Sequence, residues 1–572
     1  MKFACPTFAL TALASLAMLL AACAPTAPAG ARRDEPSAAT SAPRVLKLGI
    51  ASDAEPKEFG LAFGSLSAGA SEPRFMLHAP LTYFDDSATL QPRIAERVPT
   101  IENGDWLLLP DGRMEVTWKL RPDVRWHDGT PLSADDVVLG YRIAIDPELA
   151  LGTGVLRQIA DVTAPDPSTL VVRWRNTYIY ANAMGLETLV PIPRHRFAPL
   201  YEAGDKQAFA NSPYWAEEWI GLGPYKMRDW LRGSYIEAEA YDGYFLGRPK
   251  IDRVSIRYLG DTRALLVAIM AGDVDVVPVG SLKEEEAHVL KTQWEATGAG
   301  SVSLSNNKLR HGDWQWRDST APWAQDVRVR QALLHLIDRQ SLVDTIQNGL
   351  SSVDNIALPR QDPAYRLAQQ RGLPSLGFDP ALAHRLFAEA GLIRGADGAY
   401  RTQAGQPFAI ELSATGDINS NVQEMLAIES QWKTAGLEPS NVIITGAMDK
   451  DQVRGRLQGL NLTSSDLSYR YFQGYITSEI RSEATRWRGA NIGGYTNPAF
   501  DQLYTRLFST INGPERDEIA AGMVKIVLDQ MLFLPLSYSS DVSTAKKEVR
   551  GVTGVLPTQR VTAWNVHLWE MR

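Results

Sequence analysis

The sequence predicts an α/β chain of several lobes, and three observations carry that prediction. Short segments of alternating hydrophobicity interleave with capped helical segments along the whole length. Of 572 residues, 45% are hydrophobic and 22% charged, which excludes collagen, coiled coil and wholesale disorder. At about 150 residues per domain, that length allows three or four domains or lobes, each able to bury a core. No internal repeat is present.

Lys2 precedes a short apolar stretch from Phe8 to Ala22, which fits a signal-peptide core better than a membrane span. It ends in Leu20-Ala21-Ala22-Cys23, which resembles a bacterial lipobox with Cys23 as the lipidated residue. Residues 1–22 read as a lipoprotein signal peptide and 23–43 as a tether. Ala, Pro, Ser and Thr dominate the tether, too little apolar surface to fold, with a random-coil reach of about 25 Å. The expected location is the cell envelope, at a membrane surface.

The body begins with a strand at Val45–Ile50. Met114, Val116, Trp118 and Leu120 alternate with polar residues and predict a half-buried strand. His127-Asp128-Gly129-Thr130-Pro131 is a turn, and Ser133 with Asp136 resembles a capping box that opens a helix through Ile145. Gly221-Leu222-Gly223-Pro224 breaks the chain before another strand, and Val254, Ile256 and Tyr258 form one more. A helix from Thr262 to Met270 stops at Gly272. Asp326, Asp379-Pro380, Asn497-Pro498 and Gly513-Pro514 each open a helix in the second half. Leu532–Tyr538 reads as a buried strand, with Pro535 predicting an edge or a bend.

The net charge is −8 and no basic tract is present, so no nucleic-acid partner is expected. Both cysteines, Cys5 and Cys23, precede the body, which therefore has no internal disulfide and no Cys-ligated zinc. The simple nucleophile, zinc, phosphate and dinucleotide motifs are all missing, so neither a catalytic residue, a metal nor a cofactor is assigned. His127 beside Asp128 is read as turn chemistry and packing, and Glu284-Glu285-Glu286 as a solvated helix face.

Six motifs then resemble one family. They are Trp118-Lys119-Leu120-Arg121-Pro122 with Trp126 to Val137; Gly221-Leu222-Gly223-Pro224-Tyr225; Ala271-Gly272-Asp273-Val274-Asp275; Val327 to Leu333 with Ile337-Asp338-Arg339; Ala388-Glu389-Ala390-Gly391; and Tyr495-Thr496-Asn497-Pro498-Ala499-Phe500-Asp501. In this order they resemble the solute-binding lipoproteins of bacterial ABC importers, in the oligopeptide/dipeptide-binding class (extracellular solute-binding family 5). The resemblance runs from about Arg44 to the C-terminus.

The resemblance implies a two-lobed periplasmic-binding-protein fold with an extra domain on the first lobe, a type II-like Venus flytrap of cluster C. By similarity, the first lobe covers 44–78, 194–302 and 536–572, the extra domain 79–193, and the second lobe 303–535. Two hinge segments are expected near Ser301–Asn306 and Leu534–Tyr538. The resemblance also implies a monomeric receptor that takes up a peptide or other small solute and docks on a permease with ATPase subunits. Relatives of this class also bind sugars, nickel complexes, haem or opines, which stand as alternatives, and a secreted hydrolase is a more remote one.

For the site, Asp466 is the nearest candidate to the family's acid that holds a peptide amino group, although the flanking residues differ. Trp487 and Tyr495 suit stacking, Asn491 suits a ligand's main chain, and Trp314 and Trp316 lie just past the first hinge strand.

Overall fold

The computed structural model describes residues 42–51, 55–59, 68–149, 151, 155–416, 419–445, 450–485, 487–554 and 561–572. The signal peptide, Cys23 and nearly all of the tether lie outside the described residues. Among the described residues, no helix is long and apolar enough to cross a membrane.

A ten-stranded mixed sheet organises the body. In chain order its strands are β1 (Val45–Ala51), β2 (Tyr225–Leu231), β3 (Tyr235–Ala240), β4 (Arg253–Leu259) and β5 (Val276–Leu282). Then come β6 (Gly300–Trp314), β7 (Ala409–Thr415), β8 (Glu438–Ile444), β9 (Gly459–Asp466) and β10 (Phe533–Lys546). Their order across the sheet is β8-β7-β9-β6-β10-β5-β1-β4-β3-β2. β1 is parallel to β4 and β5, and β7 is parallel to β8 and β9. Between these groups, the long antiparallel strands β6 and β10 pair with each other along nearly their whole length. The second half of β6 pairs with β9, and the second half of β10 pairs with β5. Both long strands therefore belong to both halves of the sheet.

The crossing between the halves has a defined position. Asn306 pairs with Ser540 and Lys308 with Ser539, so Asn307 is an extra residue in β6. A bulge of this kind bends the strand and strengthens its twist. The first expected hinge segment ends at this bulge. The second is displaced: Leu534–Tyr538 lies alongside Leu309–Gly312, and β10 crosses at Ser539–Asp541 instead. Pro535 lies where β10 is laddered to β6 alone, because β5 pairs only with Val542–Ala545, so the expected edge or bend is met locally although β10 as a whole lies inside the sheet. The register slips between Arg310 and His311 opposite this stretch, so the missing N–H falls where the ladder is already interrupted.

Local chemistry explains most of the other elements. Met114–Lys119 alternates buried and half-buried residues, as the period of two requires. It lies in a separate four-stranded sheet whose core includes Trp118, Trp126 and Trp174. Asp136 accepts hydrogen bonds from the Ser133 N–H at 2.8 Å, the Arg194 N–H at 2.8 Å and Trp126 Nε1 at 3.3 Å. One carboxylate thus joins the turn, the helix Ala134–Ala144 and the following segment. Asp379 and Asn497 cap their helices as expected, each accepting from backbone N–H groups of the first turn.

Gly221 and Gly223 are required by close backbone approach. A Cβ at Gly221 would lie 1.8 Å from the Leu77 carbonyl oxygen, and one at Gly223 would lie 2.3 Å from that of Met76. Two histidines hold the same stretch. His78 Nδ1 accepts from the Leu222 N–H at 3.2 Å, and its Nε2 donates to the Pro191 carbonyl. His127 Nδ1 accepts from the Gly221 N–H at 3.1 Å, and its Nε2 donates to the Gly223 carbonyl. Each ring must be neutral to accept at Nδ1. Burial pushes both down, His78 to about 3 and His127 to about 4.

The largest buried cluster joins Leu309, Leu412, Leu462 and Leu534 of the sheet with the helices Val327–His335, Asn419–Thr434 and Gly513–Asp529. A second cluster packs β1 to β4 against Trp215, Trp219 and the C-terminal Val566 and Trp569.

Candidate functional site

In open α/β sheets, ligands sit outside the carboxyl ends of the parallel strands, where the strand order reverses. Here β5 ends at Leu282, whose partner Val542 is one residue from the crossing. β9 ends at Asp466, whose partner is Lys308 at the crossing itself. The carboxyl ends of both parallel groups therefore face the same point.

The side chains at that point are polar and closely joined. Glu284 opens the helix Glu284–Thr297 after β5, and its Oε1 accepts from the Ser540 N–H at 2.8 Å. Asn307 is fully buried, and its Nδ2 donates to Asp541 Oδ2 at 2.8 Å. Among the described residues its Oδ1 has no hydrogen-bond partner. Ser540 Oγ donates to Asn306 Oδ1 at 2.9 Å. Behind them, Arg310 donates from Nε and Nη2 to the two carboxylate oxygens of Glu424 at 2.5 and 2.8 Å, and from Nη2 to Asn421 Oδ1 at 2.6 Å.

Burial pushes the Glu284 carboxyl upward, Arg310 opposes that shift, and Glu424 and Asp541 reinforce it. Glu284, Glu424, Asp466 and Asp541 outnumber Arg310 and Lys308, so the charge balance at the crossing is acidic. Such a balance suits a ligand with a cationic group. Among the described residues, no group of three or more His, Cys, Asp and Glu residues is placed to hold a metal ion.

The turn after β9 extends this region. Tyr469 Oη lies 3.1 Å from both Asp362 Oδ1 and Asp517 Oδ1, and burial together with those carboxylates keeps the phenol protonated. Burial works to lower the neighbouring Arg470 guanidinium, but Tyr178, Tyr180 and Glu187 beside it raise it more.

Of the six residues singled out in the sequence, only Asp466 stands at the crossing, exposed at the end of β9. β6 runs six residues beyond Lys308 to Trp314, which places Trp314 roughly 20 Å away. Trp314 is 1% exposed and belongs to the largest core. It does not face the strand ends, because β6 is longer than the sequence indicated. Trp316 meets Tyr495 edge to face at 5.2 Å and lies under Arg330 at 4.7 Å. Tyr495 Oη bonds Gln530 and Asn497. Asn491 is fully buried: its Nδ2 donates to the Ile476 and Tyr495 carbonyls, and its Oδ1 accepts from the Gly494 and Tyr495 N–H groups. Its hydrogen-bonding capacity is consumed in shaping its own loop. Trp487 packs on Gly455 and stacks with Arg456 at 4.8 Å. These five residues form one packed region near the start of β9, apart from Asp466.

Sequence reasoning missed Glu284, Arg310, Glu424 and Asp541. The acidic run gave a signal that was misread. Only Glu285 is solvated there: Glu284 holds the crossing, and the buried Glu286 accepts from Thr262 Oγ1 at 2.6 Å.

The family profile described as bacterial extracellular solute-binding proteins, family 5 Middle, matches residues 89–461. The oligopeptide-binding protein AppA of Bacillus subtilis (strain 168) is 24% identical over 509 residues, covering 86% of this chain and 86% of its own length. The structure of AppA from Bacillus subtilis in complex with a nonapeptide aligns over 93% of this chain and 100% of its own, with a TM-score of 0.67 at 20% identity. NikZ from Campylobacter jejuni, in complex with Ni(L-His), aligns over 92% of this chain and 99% of its own, with a TM-score of 0.70 at 21% identity.

Proposed function

The chain belongs to the bacterial extracellular solute-binding proteins of family 5, and from that membership we propose that it is a peptide receptor of an ABC importer. Its fold is the two-lobed fold of that family, whose members bind solutes and are not enzymes. The observation that carries the proposal is the meeting of both parallel strand groups at one acidic crossing. A peptide's amino group is cationic, and Asp466 is the exposed carboxylate at that point.

The proposed first lobe is 44–78, 194–302 and 536–572, the extra domain 79–193 and the second lobe 303–535. Solute lies between the lobes and stabilises the closed form to the extent that it touches both. Main-chain hydrogen bonds give affinity that is largely independent of sequence. A lipid on Cys23 holds the receptor, as a monomer, at a membrane surface, where it delivers the peptide to a permease powered by ATPase subunits.

A thermal-shift screen against tripeptides, glycosides and nickel chelates tests the reading. The expected result is a shift of several degrees with tripeptides alone and no product formed. A shift only with glycosides or chelates overturns the peptide assignment. Asp466→Ala should weaken a free-amine tripeptide by on the order of tenfold and leave its acetylated form unchanged. Equal loss for both refutes the role of Asp466.

A further inference from the structure

A second contact joins the two halves of the molecule, through the turn that follows β9 and the helix Pro498–Ser509. The segment Tyr178–Tyr180 follows the strand Thr169–Trp174 of the four-stranded sheet. Tyr178 stacks on Trp174 at 5.2 Å, which ties the segment to that sheet's core. The next residue points elsewhere. Ile179 is 6% exposed and is buried in the largest core, with residues from the second half of the chain. Its N–H donates to the Phe508 carbonyl at 3.3 Å. Phe508 lies in the last turn of the helix Pro498–Ser509, where carbonyls lack intrahelical partners. Tyr180 meets the Phe508 ring edge to face at 6.3 Å. Tyr180, Phe508 and Ile511 pack against both cores at once. Arg470, in the turn after β9, lies beside Tyr178, Tyr180 and Glu187.

An apolar plug, a backbone hydrogen bond and a guanidinium thus bridge the two halves. Opening about the crossing of β6 and β10 must break all three. We infer that Tyr178–Tyr180 is a latch that sets the closed population, and hence the grip on solute. Ile179 is the positioning residue. Its side chain is apolar, so its own contribution to the latch is not screened by salt, and it packs beside Phe508 whatever the solute is. An apparent affinity scales with the fraction of molecules in the binding-competent form. Weakening the latch therefore weakens every ligand alike.

The test needs no ligand, so its outcome is separate from that of the peptide reading. The full chain and its Ile179→Ala and Tyr180→Ala variants are measured without solute by small-angle X-ray scattering and by hydrogen exchange. Ile179→Ala removes three buried carbons but keeps the N–H, and should lower the closed-to-open ratio by on the order of tenfold. The expected result is a larger radius of gyration and faster exchange across residues 176–182, with exchange in Met114–Lys119 unchanged. If Ile179→Ala fails to fold, Tyr180→Ala decides by the same two readings. An unchanged radius, or exchange that rises equally in Met114–Lys119, overturns the latch.

Discussion

Acidification should withdraw the stability that two buried histidines contribute. His78 and His127 each accept a backbone N–H at Nδ1, from Leu222 and Gly221, so protonation at that atom breaks a hydrogen bond and places a charge in the core. Their folded values, about 3 and about 4, lie below the free value of 6.5. Their stabilising contribution is therefore complete above about pH 6.5 and is lost as the pH falls toward those values. At about pH 5, linkage gives a cost of about 2 kcal/mol for the buried His78, and somewhat less for the part-exposed His127. The assay is calorimetric melting between about pH 7.5 and 5, comparing the native chain with the double variant His78→Asn, His127→Asn. The buried Glu72, pushed up to about 8, gains protons over the same range in both proteins, so the expected result is a native midpoint that falls by several degrees relative to that of the variant, whatever the variant's baseline. An identical pH slope in both proteins would refute the reasoning.

Two further substitutions test other parts of the fold. Glu424→Gln leaves Arg310 charged and buried without its carboxylate, which should cost about 3–5 kcal/mol, read as a lower melting transition; Arg310→Met with Glu424→Leu should recover most of the loss. Gly223→Ala places a methyl group 2.3 Å from the Met76 oxygen, and soluble yield or the melting midpoint should drop sharply; a native-like midpoint would show that this close approach can relax.

Elements encoded by nearby residues were legible in the sequence. The period-two strand at Met114–Lys119 and the caps at Asp379 and Asn497 depend on neighbours within a few positions. Asp466 was singled out by its resemblance to the family's acid rather than by a local pattern, and it ends β9. Features set by long-range pairing were not legible. Nothing near Leu534 shows that its partner is Gly312, so the crossing lies later in β10 than the expected second hinge segment. Trp314 and Trp316 have the composition of a binding surface, but a fifteen-residue strand carries Trp314 into a core. Asn491 has the chemistry to hold a ligand, and four hydrogen bonds spend that chemistry on its own loop. Arg310 and Glu424 are 114 residues apart in the chain, so their pairing is visible only in three dimensions.

Small-angle scattering of the full chain, with and without the tripeptide that gives the largest thermal shift, followed by mass spectrometry of the recovered peptide, tests the receptor account most directly. The account predicts a smaller radius of gyration on binding and a peptide of unchanged mass. Binding with no change in radius, or recovery of a cleaved peptide, would contradict it.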